Sequence, residues 1–65
     1  MNVFINQVPH TLPPEATLAD AIALLQPDSP YAAAVNLQFV PKTQYAEHQL
    51  HLDDRIDIIA PVTGG

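Results

Sequence analysis

The chain opens with a short apolar run that is typical of a β-strand. Val3-Phe4-Ile5 is rich in strand-forming residues, and Asn6-Gln7 supplies turn-forming residues directly after it. Residues 8–12 are then predicted to return as the second arm of a hairpin. Pro9 places that arm at a sheet edge or a bulge, because proline has no amide hydrogen to donate. Residues 13–15 (Pro-Pro-Glu) break the strand pattern.

The next segment has the pattern of one amphipathic helix. Apolar residues recur at the spacing i, i+3, i+4, i+7 and form a single stripe, made by Leu18, Ala21, Ile22 and Leu25. Thr17 is a good N-cap, and Asp20 lies in the first turn, where a negative charge interacts favourably with the helix dipole. Pro27 ends the helix and begins a rigid loop that reaches Pro30.

The second half of the chain reads as further strands. Residues 33–37 (Ala-Ala-Val-Asn-Leu) are nearly uncharged, which predicts a central strand that ends at residues 39–41. The segment that follows is less regular, and we expect a short turn at Tyr45 and a brief strand over residues 49–52.

A last strand closes the pattern. Asp53-Asp54 is predicted to form a hairpin turn, residues 56–59 form the final strand, and residues 61–65 trail from it.

This order of elements predicts an α+β fold for residues 1–65 as a single domain. A mixed sheet of four to five strands with one helix packed across one face would bury the apolar residues. A hairpin followed by a helical crossover is how a β-grasp, ubiquitin-like domain is built. The periodicity alone also allows a ferredoxin-like fragment or a small barrel.

Composition and charge narrow the possible functions. Seven acidic residues face two basic ones, Lys42 and Arg55, for a net charge of −5. Two cations cannot form the basic patch that nucleic acids or anionic membranes require, so a protein partner with a basic surface is favoured.

The absence of cysteine excludes disulfides, thiol catalysis and cysteine-ligated metals. No apolar run approaches the ~20 residues that span a bilayer, and no signal peptide is evident, so we expect a cytoplasmic protein.

The two glycines of the chain, Gly64 and Gly65, are its last two residues. Residues without a Cβ atom can thread a channel that other side chains would block, and the terminal carboxylate then reaches a remote active site. A carboxylate is a poor electrophile at pH 7, so it needs activation, for which adenylation by ATP supplies a good leaving group. The alternative is a frayed terminus with no role.

Several short motifs together resemble a known family, the sulfur carrier proteins of thiamine biosynthesis (ThiS). The resemblance covers nearly the whole chain and is carried by Ala34-Val35-Asn36, Val40-Pro41-Lys42, Tyr45, Leu52, Arg55-Ile56 and Pro61-Val62-Thr63-Gly64-Gly65. Two positions depart from the usual pattern. Members usually have Gly-Asp where this chain has Asp53-Asp54, and often Trp where it has Tyr45. Asp tolerates the left-handed conformation at some cost.

The resemblance implies a β-grasp carrier and co-substrate that is not itself an enzyme. Gly65 would carry the activated carboxyl and then the sulfur as a thiocarboxylate, with Gly64 providing clearance. The implied partners are a ThiF-like adenylyltransferase that uses ATP, a ThiG-like thiazole synthase, and a sulfur donor such as a cysteine desulfurase. The chain would bind no cofactor, and it would be a monomer when free.

Three alternative functions remain open from the sequence. The small subunit of molybdopterin synthase shares the fold, the tail and the activation chemistry, although that family is usually somewhat longer. A ubiquitin-like modifier would join the same carboxylate to lysines of other proteins. An acidic interaction module would have an idle tail.

Other possible sites have weaker support in the sequence. His10, His48 and His51 have no acidic or cysteine ligand spaced with them, so we expect surface histidines and no metal site. Asp53, Asp54 and Asp57 lack a calcium-loop pattern and are interpreted as a solvated turn. The sequence has no glycine-rich phosphate loop, which assigns any ATP chemistry to a partner.

Strand alternation also predicts a docking patch. If the helix covers Val3, Ile5, Ile56 and Ile58, then Phe4, Asp57 and Ile59 lie on the opposite face of the sheet. We expect the apolar side chains on this face to contact the activating enzyme. With the tail, the expected contact residues are Phe4, Phe39, Ile59, Pro61, Val62 and Thr63.

Overall fold

A computed structural model describes residues 1–26 and 31–59 of the chain. Its five strands form one sheet in the order β2-β1-β5-β3-β4, in which β1 and β5 are parallel and the other neighbours are antiparallel. The predicted mixed sheet with one helix is therefore confirmed. The elements are β1 (Asn2–Ile5), β2 (Val8–Thr11), α1 (Leu18–Leu25), β3 (Ala32–Val35), β4 (Gln38–Val40), a short 3₁₀ helix (Lys42–Gln44) and β5 (Arg55–Ile59).

The first hairpin forms as predicted. Ile5 pairs with Val8, which leaves Asn6 and Gln7 as a two-residue turn with φ values of 49° and 69°. Two successive positive φ values define the type I′ turn, whose twist matches that of the flanking strands. β2 is an edge strand, where the missing amide hydrogen of Pro9 breaks no interior ladder.

A second hairpin replaces the single strand predicted over residues 33–37. Val35 pairs with Gln38, and the residues between them, Asn36 and Leu37, turn the chain with φ values of 51° and 69°. The prediction was wrong because apolar Val35 and Leu37 flank Asn36 and favour one strand, whereas Asn36 tolerates the left-handed backbone that ends the strand. β3 lies inside the sheet, as expected, and residues 38–40 form β4 beside it.

The helix begins and ends close to the predicted positions. The Asp20 carboxylate accepts a hydrogen bond from the amide of Thr17 at 2.9 Å, which satisfies a donor at the helix start. Gln26 adopts a left-handed conformation after the last turn, and its amide donates to the carbonyl of Ile22. Three members of the predicted stripe are buried, but Leu25 is 38% exposed and contributes less to the core than the pattern indicated.

The core lies between the helix and one face of the sheet. It also receives side chains from the loops on either side of the helix. The buried apolar residues are Val3, Ile5, Leu12, Ala16, Leu18, Ala21, Ile22, Ala33, Val35, Val40, Tyr45, Leu50, Ile56 and Ile58.

The strand predicted over residues 49–52 is reduced to one isolated bridge between Thr17 and Gln49. The amide of Leu18 donates to the carbonyl of His48 at 2.8 Å, and the amide of Leu50 donates to the carbonyl of Ala16 at 3.0 Å. This segment therefore pairs with the backbone at the start of the helix and not with the sheet. The 3₁₀ helix before it accounts for the turn expected near Tyr45.

The solvated hairpin turn predicted at Asp53-Asp54 is correct only in part: the Asp54 amide donates to the carbonyl of His51 at 3.1 Å and closes a turn, but this turn does not form a hairpin. Asp53 has a φ of 66°, so it occupies the left-handed conformation. Asp54 is buried, and its carboxylate accepts hydrogen bonds from the backbone amide of His51 at 2.7 Å and from Nδ2 of Asn36 at 3.0 Å. These two donors offset the cost of removing the carboxylate from water, and the segment leads into β5 without joining two adjacent strands.

Within the described ranges, the helix is not long and apolar enough to cross a membrane.

Candidate functional site

The two faces of the sheet differ as the alternation predicted. Ile56 and Ile58 on β5 are buried under the helix with their neighbours from β1. The opposite face, here called the open face, carries Phe4 and Asp57 half-buried and Ile59 61% exposed. The predicted placement of these side chains is confirmed.

Strand register places Phe39 on the same open face. Phe39 pairs with Ala34, and Ala34 pairs with Asp57 on β5. In the next row, Ala32 pairs with Ile59. Because β3 contributes only small alanine side chains to these rows, the large side chains on either side of it project from the surface, and Phe39 is 70% exposed.

An open cleft lies at the end of this face where the two hairpins turn. Its volume is about 610 Å³. We call it the turn-end cleft; its lining residues are Phe4, Gln7, Asn36, Leu37, Arg55, Ile56 and Asp57. Sequence reasoning missed the cleft because one of its walls is the unpredicted second turn.

Asn6 in the first turn fixes one edge of β5. The Asn6 amide donates to the carbonyl of Ile56 at 2.8 Å, and its Oδ1 accepts from the amide of Ile58 at 2.9 Å. The Asn6 side chain therefore accepts the β5 hydrogen bond that a backbone carbonyl would accept if β1 continued.

Asn36 does the same on the other edge of β5. Its amide donates to the carbonyl of Arg55 at 2.7 Å, and its Oδ1 accepts from the Arg55 amide at 3.0 Å. The two asparagines together hold the strand that presents Arg55, Asp57 and Ile59 on the open face. Asparagine in the first position of both turns is the sequence signal that points to this role.

The histidines do not form a site in the described part of the chain. His51 is exposed, and its Nδ1 lies 3.8 Å from Oδ2 of Asp54, while His48 is half-buried. Residues 1–26 and 31–59 contain no group of three or more His, Cys, Asp or Glu side chains placed to hold a metal ion.

Two tyrosines stack beside the second hairpin. The ring centroids of Tyr31 and Tyr45 are 6.1 Å apart, with an interplanar angle of 16°. Burial raises the pKa of Tyr45 above its usual value of 10.0, and the charge of a neighbouring Tyr31 phenolate adds to the shift. Tyr45 is therefore a buried aromatic side chain that belongs to the core.

The predicted tail residues Pro61, Val62, Thr63, Gly64 and Gly65 lie outside the described residues. The described chain ends at Ile59, whose side chain is on the open face. The patch predicted from Phe4, Phe39 and Ile59 therefore includes the last residue before the undescribed segment.

Comparisons with known proteins agree with this architecture. The model of the ThiS family matches residues 3–65. The chain also resembles the crystal structure of the thiamine biosynthesis protein ThiS from Geobacter metallireducens, with a TM-score of 0.81, 14% sequence identity and complete coverage of both chains. At that identity the structural match shows a shared β-grasp fold, and comparison with curated proteins gave no match. Because the family model spans almost every residue, the chain belongs to the ThiS family, and the match supports a role as a sulfur carrier of thiamine biosynthesis.

Proposed function

We propose that residues 1–65 form one β-grasp domain whose tail, residues 61–65, carries sulfur as a thiocarboxylate on Gly65 and delivers it to a thiazole synthase. The observation that carries the proposal is the family match over residues 3–65, which includes both the folded body and the Gly64-Gly65 pair. The chain acts as a carrier and co-substrate, and the catalytic groups belong to its partners.

The proposed chemistry has two steps. A Gly65 carboxylate oxygen attacks the α-phosphate of ATP on a ThiF-like enzyme, and pyrophosphate leaves to give an acyl adenylate. In the second step, the outer sulfur of a persulfide on a donor such as a cysteine desulfurase attacks the acyl carbon and AMP leaves; a thiol reductant then cleaves the resulting S–S bond, which leaves the outer sulfur on Gly65 as the thiocarboxylate and takes up the donor sulfur in a disulfide. The sequence has no cysteine to hold this sulfur and no glycine-rich phosphate loop to hold the ATP.

The glycine pair suits this chemistry sterically. A residue without Cβ permits close backbone approach and a wider range of φ and ψ. Gly64 gives the clearance that lets the Gly65 carboxyl enter a narrow active site of each partner in turn.

The open face is the proposed contact surface for the adenylating enzyme. Phe39 and Ile59 expose most of their apolar surface there, and Phe4 lies between β2 and β5 on the same face. Pro61, Val62 and Thr63 continue the contact toward the active site. A net charge of −5 favours docking on a basic enzyme surface.

The intact mass of the chain purified from its own cells under thiol-free conditions tests the carrier chemistry. We expect a species heavier by the difference between one sulfur and one oxygen atom, and fragmentation should localise that difference to Gly65. Deletion of Gly65 is the matched control, since it leaves the folded body unchanged. Only unmodified chain, even after incubation with ATP, the adenylating enzyme and the sulfur donor, contradicts the proposal.

Genetics separates the thiazole pathway from the alternatives. A strain lacking this chain should require thiamine, and added thiazole should restore its growth. Rescue by thiazole is not expected if the chain serves molybdopterin synthase. Covalent ladders of the chain on lysines of other proteins would indicate a modifier instead.

The docking patch is tested by one matched pair of substitutions. Ile59→Lys places a charge on the open face, whereas Leu24→Lys places the same charge on the helix, where Leu24 is similarly exposed at 56%. We expect the KM for adenylation to rise about tenfold for Ile59→Lys and to stay unchanged for Leu24→Lys. Equal KM values for the two variants would remove the open face from the proposed contact.

A further inference from the structure

Leu37 combines an exposed apolar side chain with a left-handed backbone conformation. Its side chain is 90% exposed, the largest exposure of any described large apolar residue, and its φ is 69°. The second position of a type I′ turn favours glycine or asparagine, and leucine pays a steric penalty there. An apolar residue in a strained and solvated position points to a role in binding.

Leu37 belongs to the turn-end cleft described above. Phe4 supplies an aromatic side chain to the same cleft, and exposed Arg55 and half-buried Asp57 of β5 also line it. The cleft lies at the start of β5, while Ile59 lies at its end. A partner that covers the open face along the full length of β5 therefore contacts this cleft as well as Ile59.

The charges in the cleft indicate what it binds. Arg55 is one of two basic residues in the chain, and it forms no ion pair with any carboxylate of residues 1–26 and 31–59. Asp57 follows two residues later on the same face, so the cleft carries one positive and one negative side chain next to apolar surface. A guanidinium with unused donors binds a carboxylate well. A second copy of this acidic chain is disfavoured by the net charge of −5 on each molecule.

We infer that the turn-end cleft is a docking site for a surface loop of a protein partner that presents an apolar side chain beside a carboxylate. The apolar side chain packs against Leu37 and Phe4, and the carboxylate pairs with Arg55. The inference rests on the proposed function, because the partner is one of the enzymes that handle the tail. It extends the contact surface to the end of the sheet away from Ile59.

Two matched pairs of variants test the cleft. Leu37→Asn removes the apolar contact and suits the turn, and Leu52→Asn makes the same change at a leucine that is 65% exposed outside the cleft. Arg55→Glu reverses the charge in the cleft, and Lys42→Glu changes the net charge equally on the exposed 3₁₀ helix. Each variant is titrated without ATP against the adenylating enzyme and, separately, against the thiazole synthase.

We expect Leu37→Asn and Arg55→Glu to raise the Kd for at least one enzyme about tenfold, while both controls bind like the original chain. Thermal unfolding should show that Leu37→Asn is at least as stable as the original chain, which separates docking from folding. Equal Kd values for each cleft variant and its control with both enzymes, or no binding of the original chain to either enzyme, overturns the inference. The thiocarboxylate is judged independently by intact mass, so the two proposals can fail separately.

Discussion

The two hairpins share a backbone design. Each has a two-residue type I′ turn that begins with asparagine, and the φ values of the two turns agree within a few degrees. Asn6 and Asn36 each donate through the amide and accept through Oδ1, and both bind the backbone of β5. The central strand is therefore held in the same manner from both sides.

The side chains around this shared backbone differ. The second turn residue is polar Gln7 in the first hairpin and 90% exposed Leu37 in the second. At its open end the first hairpin is closed by reciprocal hydrogen bonds between Met1 and Leu12. The stacked rings of Tyr31 and Tyr45 flank the open end of the second hairpin. The second hairpin therefore exposes an apolar side chain at the turn position where the first hairpin has a polar one.

The largest predicted difference between the hairpins concerns their asparagines. Asn36→Gly should lower the free energy of unfolding by about 2–3 kcal/mol, and Asn6→Gly by about 1 kcal/mol. Glycine suits both positive φ values, so each change isolates the loss of side-chain hydrogen bonds. Asn36 has the larger effect because its Nδ2 also donates to the buried carboxylate of Asp54.

Urea denaturation followed by circular dichroism measures both free energies. Asn36→Ser serves as a second variant, which keeps a short hydroxyl at the turn but cannot span both partners. Equal losses for Asn36→Gly and Asn6→Gly would mean that the bond to Asp54 contributes nothing to stability, and the two turns would be energetically equivalent.

The sequence predicted the first hairpin and not the second for one physical reason. In the first, polar Asn6-Gln7 interrupts an apolar strand, so the pattern itself marks the turn. In the second, one polar residue, Asn36, stands between apolar Val35 and Leu37, and local propensity then favours one strand. The asparagine in the first position of each turn was the available signal, but its role becomes evident only from its hydrogen bonds to β5.

The sequence likewise predicted only part of the candidate site. Alternation placed Phe4, Asp57 and Ile59 on the open face, because a strand has a fixed period of two. Arg55 and Leu37 were missed as site residues, since the cleft exists only once two distant turns lie side by side. The burial of Asp54 was missed for the same reason, because its donor Asn36 is 18 residues away in sequence.

Glycine in the second turn position tests whether Leu37 has any folding role. Gln7→Gly and Leu37→Gly each create an Asn-Gly pair, the preferred sequence of a type I′ turn. We expect both to raise the free energy of unfolding by about 0.5–1 kcal/mol. A stability loss in Leu37→Gly alone, measured by urea denaturation, would show that Leu37 packs for folding and would remove the contrast between the hairpins.

A left-handed residue outside both hairpins, Asp53, calibrates this gain. Asp53 has a φ of 66°, and its amide donates to the carbonyl of Asn2, a bond that glycine retains. Asp53→Gly should raise the free energy of unfolding by about 0.5 kcal/mol, because Asp already tolerates this conformation better than Leu or Gln. A gain as large as that of Leu37→Gly would mean that residue type matters little at these positive φ values.

The smallest effect concerns the stack beside the open end of the second hairpin. The pKa of Tyr45 is raised in the folded chain, first by burial and then by Tyr31, so the unfolded chain releases the Tyr45 proton more readily. The stability that depends on the neutral phenol is complete below the unfolded pKa of about 10 and is lost as the pH rises through the folded pKa. Tyr45→Phe should therefore flatten the alkaline decline in the free energy of unfolding, measured by urea denaturation between neutral pH and pH values above 10.

Tyr31→Phe is the matched control, which should keep most of the decline because burial is the larger cause of the shift. The Met1–Leu12 closure of the first hairpin contains no phenol, so a decline that survives in Tyr45→Phe would have to arise elsewhere in the fold.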